Sequence, residues 1–343
     1  MASYPIVVLI ALFSLTKFKL NKENSFAMAV LLLVCTSLFR WNQFTPRFFK
    51  DIGLMAIGIS PFIFKNHFRV EAKSLNILII IGFLFAVSSD LIYFKFSINN
   101  FINSTFGIEK GASTYTLGLF SIFWMKNKKW KWALTNVFIM FLGGKRIAMV
   151  GIIFCLVLSF YLWNKKGKAY FLWKIGLFAI VIWYMKFSYD FAHGTFNDII
   201  FKYTGKSADA FAMGRQQLFS AAFEFISFPN LWGEGPGNLY TYLGNLFGIP
   251  HVHNDFLKIY ADNGLIIGLV WLWTWLRKIR YEQIATIFFI FALFCTTNCL
   301  IYVYMLFMFC FFLESDKYMY IGKILLPENM HMKRVKDDMK IMK

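Results

Sequence analysis

The chain has 343 residues, of which 58% are hydrophobic, 20% aromatic and only 16% charged, with a formal net charge of +18. That apolar excess excludes an ordinary soluble domain and fits a polytopic membrane protein. The basic residues fall in short clusters between apolar runs, as expected of loops held against a membrane, so the positive charge does not point to nucleic acid.

With about 20 apolar residues as the length of a span, and fewer where flanking residues snorkel, the chain contains about eleven candidate helices. They centre on Tyr4–Leu15, Phe26–Phe39, Ile52–Phe64, Leu75–Phe94, Ala112–Met125, Trp132–Leu142, Ile147–Trp163, Tyr170–Phe187, Phe256–Leu276, Ile284–Thr297 and Ile301–Leu313. The first run lacks a basic start and a small-residue cleavage site, so it reads as a span rather than a cleaved signal. Cys35, Cys155, Cys295, Cys299 and Cys310 all read as lying inside apolar segments, as small core residues, with no further soft ligand beside Cys295 and Cys299 to suggest a metal. The expected fold class is therefore all-α, a polytopic transmembrane helical bundle over residues 1–313, with a basic cytoplasmic tail at 314–343.

The densest basic clusters are Lys126, Lys128, Lys129 and Lys131; Lys165, Lys166 and Lys168; and Arg277, Lys278 and Arg280. The intervening spans allow all three to lie in the cytoplasm, with Lys17, Lys19 and Lys22 on the same side. This orientation puts the N-terminus outside and makes residues 188–252 one large extracytoplasmic loop. It also turns the hairpin Gly143, Gly144, Lys145, Arg146 outward, against the usual charge bias, and such exceptions are often functional.

Within the loop, the stretch from Gly214 to Phe228 has Leu218, Phe219, Ala222, Phe225 and Ile226 on one side and is followed by Pro229, the pattern of an amphipathic helix suited to a membrane surface. Arg215 falls in its first turn, where a cation opposes the helix dipole unless both share an anionic partner; a snorkelling surface arginine is the plainer alternative. The turn WGEGPGN places Gly233, Gly235 and Gly237 where backbone amides could cradle phosphate oxygens or simply form a tight bend. Tyr240 could stack on a sugar or anchor the loop. At the loop's end, His253 could serve as a general base, His251 and His253 lack further zinc ligands, and Asn254 or Asp255 could cap the next helix or orient a neighbour.

The ordered set of Arg146 at an outward hairpin, Arg215 before an amphipathic helix, a Gly-x-Gly-x-Gly turn and then HNDFLKIYADNGLIIGL resembles the O-antigen polymerases and O-antigen ligases, membrane glycosyltransferases of bacterial surface polysaccharides. The resemblance runs from about Trp132 to Leu313, and its most specific part is His253-Asn254 followed after nine residues by Gly264.

The resemblance implies a reaction at the outer face of the bacterial inner membrane, with undecaprenyl-pyrophosphate-linked oligosaccharide as substrate, membrane lipid as surroundings and a chain-length regulator as a further partner. An acceptor hydroxyl displaces pyrophosphate with inversion, without a metal or other cofactor. Arg146 and Arg215 match the family's catalytic arginines and would hold the pyrophosphate with help from Lys145, while His253 matches its histidine and would act as base. Gly233, Gly235, Gly237, Tyr240, Asn254 and Asp255 complete the expected substrate-binding set. Gly268 lies one place later than in many ligases, and GGKRIA lacks the serine or threonine that ligases often carry before the arginine, so a polymerase is expected ahead of a ligase. A non-enzymatic flippase is the third reading, although the charges gather at one face rather than at mid-membrane.

Overall fold

The computed structural model describes residues 53–63, 70–92, 111–143, 145–163, 170–249, 251–278, 280–300, 302–314 and 319–321. The expected spans Tyr4–Leu15 and Phe26–Phe39 lie outside these residues, as does most of the basic tail, and Ile52–Phe64 is represented by helical pieces at 53–58 and Ser60–Ile63. The other expected spans coincide with helices: α1 (Ala72–Ile92), α2 (Gly111–Lys126), α3 (Trp130–Leu142), α4 (Arg146–Trp163) and α5 (Tyr170–Ala192) before the large loop. The loop folds into α6 (Asn197–Thr204), α7 (Ala208–Phe211), α8 (Arg215–Phe225) and α9 (Asn238–Phe247), and α10 (Asp255–Lys278), α11 (Ile284–Thr296) and α12 (Val303–Leu313) follow it.

Among the described residues, two helices are long and apolar enough to cross a membrane, Phe171–Ala192 and Asp255–Trp273, and shorter apolar helices accompany them. A count of eleven spans is not established by these residues. What marks the bundle as a membrane body is its outer surface. On α4, Val150, Ile153, Phe154, Val157 and Tyr161 form an exposed stripe at helical spacing, and α5 exposes Phe171, Leu172, Ile175 and Trp183. Such patches are untenable in water and natural against lipid.

Inside, large aromatics fill the bundle: Phe294 of α11 touches Phe256, Trp271 and Trp275 of α10 and Phe309 of α12. Close approach is needed where α2 meets α11, since a Cβ on Gly118 would lie 2.4 Å from the ring of Phe289. A buried polar cluster ties three of these helices together: Asn76 of α1 and Asn136 of α3 exchange amide hydrogen bonds at 2.8 Å, and the Trp124 indole N–H of α2 donates to Asn76. In a membrane interior such a reciprocal pair satisfies groups that lipid cannot.

The two ends of the bundle differ in chemistry. One end carries the Lys126–Lys131 turn, the Arg280 turn and a short parallel pairing of β1 (Val70–Glu71) with β2 (Met319–Tyr320), and there the Gln283 amide donates to the Leu313 carbonyl. The other end gathers the start of α2, the α3–α4 turn, the end of α5, the start of α10 and the α11–α12 turn, with the loop helices packed over them. In the loop, the buried side of α8, Leu218, Phe219, Ala221 and Ala222, joins Phe191 of α5, Leu239 and Leu243 of α9 and Leu257 of α10 in a second apolar cluster. The amphipathic helix expected to rest on the membrane surface thus buries its apolar face against the protein.

Asn136→Leu leaves the Asn76 side-chain NH2 without the acceptor it has in Asn136, and an unfolding titration in detergent should register a loss of about 1–2 kcal/mol.

Candidate functional site

The expected span Phe256–Leu276 is not one continuous helix. At Gly264 the backbone turns to φ 78° and ψ 177°, which breaks α10 into a short first part and a longer second part. A regular helix would bond the amides of Leu265 and Ile266 to the carbonyls of Ala261 and Asp262. Here the loop takes both sides of that exchange: Leu265 and Ile266 donate to the carbonyls of Asn230 and Leu231, while Glu234 and Gly235 donate to those of Ala261 and Asp262, at 2.7 to 3.3 Å. The loop is spliced into the helix, supplying partners for all four of these groups.

The splice explains the glycines. A Cβ on Gly264 would come within 2.4 Å of the Gly233 nitrogen, and one on Gly233 within 2.3 Å of the Asp262 carbonyl oxygen. Asn230 locks the crossing, its amide reaching the Tyr260 and Ala261 carbonyls and its oxygen accepting from Gly233. Asp262, paired with Lys258, accepts from Gly237. The amides of Gly235 and Gly237, expected with that of Gly233 as a phosphate cradle, are therefore spent on Asp262 of α10, and the Gly233 amide is spent on Asn230.

Asn254 and Asp255 likewise face inward, both fully buried. Asn254 caps α10 by accepting from the Leu257 amide and reaches Ser188 of α5 through its own amide. Asp255 receives the amides of Cys299 and Leu300 in the α11–α12 turn at 2.6 and 3.2 Å. These two residues position the site from behind rather than lining it.

His253 is held in the left-handed region at φ 55°, uncommon for a residue with a side chain. Its backbone amide donates to Oδ1 of Asn298 at 2.9 Å, and the Asn298 amide nitrogen faces the ring Nδ1 at 3.0 Å. The half-buried ring feels the charges of Arg215 and Lys145. Burial first, then Arg215, His251 and Lys145 in that order, push its pKa from the usual 6.5 down to about 4.

Arg215 starts α8, as the sequence suggests, after two successive left-handed residues, Met213 and Gly214. Its charge also reaches Tyr115 of α2 and Tyr184 of α5. The helix N-terminus already holds an anion of its own, since Asp209 accepts from the Gln217 amide at 3.1 Å. Lys145 precedes α4, so the α3–α4 turn and α8 each bring a cation within electrostatic reach of His253 although seventy residues separate Lys145 from Arg215. Arg146 begins α4 at the same end, and its side chain lies outside the described part. Tyr240 of α9 stands edge-on to His251, its hydroxyl 3.3 Å from Nε2. Asn298, Tyr115, Asn230 and Asp262 were not singled out by sequence reasoning; the polar break CTTNC between two apolar runs is the one signal that marks Asn298.

A helical membrane bundle that gathers cations and imidazoles at one end, under a loop spliced into a broken helix, is the class of protein these features define. Residues 132–272 match the O-antigen ligase family, which supports the O-antigen polymerase and ligase family over the segment from α3 through most of α10. No curated protein and no solved structure matches the chain.

Gly264→Ala cannot keep the splice; the expected result is a loop that limited proteolysis cuts between α8 and α10 while the wild-type loop resists. The depressed imidazole gives a second outcome. An unfolded chain would protonate His253 below pH 6.5 but the folded ring stays neutral until about 4, so stability from this group falls as pH drops between those values. In the ligand-free protein, the NMR titration midpoint of His253 should lie near 4, and bound inorganic pyrophosphate should raise it by offsetting Arg215 and Lys145.

Proposed function

We propose that the protein is a polymerase that joins undecaprenyl-pyrophosphate-linked repeat units at the outer face of the bacterial inner membrane. The observation that carries this reading is the convergence of Lys145 and Arg215 on His253 at the bundle end opposite the Lys126–Lys131 and Arg280 turns. Basic turns favour the cytoplasm, so the opposite end belongs to the extracytoplasmic side. A cluster of cations at that end suits an anionic substrate presented from the outer leaflet.

Displacement of pyrophosphate from an anomeric carbon develops charge on the leaving phosphate. Guanidinium groups grip such oxygens bidentately, and fixed cations in a partly dehydrated site stabilise the transition state without reorganising. Arg215 and Arg146 would take this part, with Lys145 beside them, which allows an inverting transfer without a divalent ion. The Tyr240 ring beside His251 offers a face for a sugar. A ligase that moves the finished chain to lipid A core shares this chemistry, and the family description favours it as the second reading.

Purified protein in lipid nanodiscs, given lipid-linked repeat units and EDTA but no ion gradient, should produce a ladder of longer lipid-linked chains, and Arg215→Ala should slow it on the order of 10²-fold or more. Release of chains only onto added lipid A core would establish the ligase, and no product with either acceptor would refute glycosyl transfer. In a deletion strain, core capped with one repeat marks a lost polymerase, whereas bare core marks a lost ligase.

A further inference from the structure

The two hydrogen bonds between His253 and Asn298 determine more than ring position. A backbone N–H can only donate, so the Asn298 atom 2.9 Å from the His253 nitrogen must be its oxygen. The opposite amide orientation would set two donors face to face. The Asn298 amide nitrogen is then the atom 3.0 Å from Nδ1, and since it too can only donate, Nδ1 must accept. A neutral imidazole with its lone pair at Nδ1 carries its proton on Nε2. Asn298 is buried and sits in the α11–α12 turn that Asp255 also clamps, which holds its carboxamide in place. Among the described residues Nε2 has no hydrogen-bond partner, which leaves its N–H available to a ligand.

We propose that Asn298 is a positioning residue that fixes His253 as the Nε2–H tautomer, so that the ring donates a hydrogen bond to the leaving pyrophosphate instead of removing the acceptor's proton. The inference rests on the glycosyl-transfer reading for its substrate, and it changes the role of His253 from base to donor. In the step that follows, the acceptor oxygen bonds the anomeric carbon as the carbon–oxygen bond to phosphate breaks, and that electron pair goes to the pyrophosphate. Nε2–H, Arg215 and Lys145 face the oxygen that gains charge. The acceptor hydroxyl becomes strongly acidic once its oxygen bonds carbon, and its proton passes to solvent water. The left-handed backbone of His253 serves the same end, because it lets one residue present both its amide and Nδ1 to a single Asn298 side chain.

The test uses the full chain in nanodiscs with ¹⁵N-labelled histidine, the His253 signals being assigned by their loss in His253→Gln. The wild-type ring should show a protonated Nε2 and a bare Nδ1, and Asn298→Asp, whose carboxylate accepts from both nitrogens, should reverse them. In chain-extension assays Asn298→Asp should lower turnover on the order of 10²-fold, because a lone pair now faces the phosphate. His253→Gln, which can donate from the position of Nε2 but cannot act as a base, should keep turnover within about tenfold of wild type, while His253→Ala loses about 10²-fold or more. A wild-type ring protonated at Nδ1, Asn298→Asp as active as wild type, or His253→Gln as inactive as His253→Ala would each overturn the proposal. The tautomer is read without substrate, so a wild-type protein with the expected spectrum but no product counts against glycosyl transfer and not against the ring assignment.

Discussion

The break in α10 at Gly264 is the constraint on which the rest of the site depends. A broken helix in a membrane protein leaves carbonyls and amides that lipid cannot satisfy, and each one left bare would cost several kcal/mol. Residues 230–235 supply the missing partners, so the large loop is built into the bundle's hydrogen bonding rather than draped over it. The piece of α10 between His253 and the break is tied at both ends, by the loop at Gly264 and by the Asp255 contacts to the α11–α12 turn at its start. A short strut fixed in this way sets His253 in one place, and α8 brings Arg215 to it.

Electrostatics at this end follow from that geometry. Arg215, His251 and Lys145 repel a proton from His253, so the site is cationic without counting the imidazole. The acidic groups nearby do not offset this charge. Asp255 faces backbone amides, Asp262 pairs with Lys258, and Asp209 caps α8. An excess of positive charge, on elements brought together at the expense of a strained residue and a broken helix, is suited to an anion that arrives with the substrate.

Much of the bundle was legible because membrane spans announce themselves by length and polarity. From Leu75 onward the expected spans among the described residues match helices closely, since an apolar run flanked by lysines has few other solutions. Two readings went differently for physical reasons. The apolar run after His253 hides the break, because hydropathy does not register a glycine whose value lies in letting two backbones touch. The glycine-rich turn read as either a phosphate cradle or a tight bend, because sequence shows that its backbone can turn but not which partners its amides find. Arg215 and His253 could be named from their residue types and order. Asn298 could not, since its role arises only when the α11–α12 turn meets the start of α10.

The most direct measurement is a cryo-EM structure in nanodiscs with the lipid-linked repeat unit bound. The expected result is a diphosphate held between Arg215 and Lys145 with one oxygen within hydrogen-bond reach of His253 Nε2, at the bundle end opposite the Lys126–Lys131 turn. A diphosphate bound at the basic turns instead, or a substrate whose phosphates lie clear of Arg215 and His253, would contradict the site.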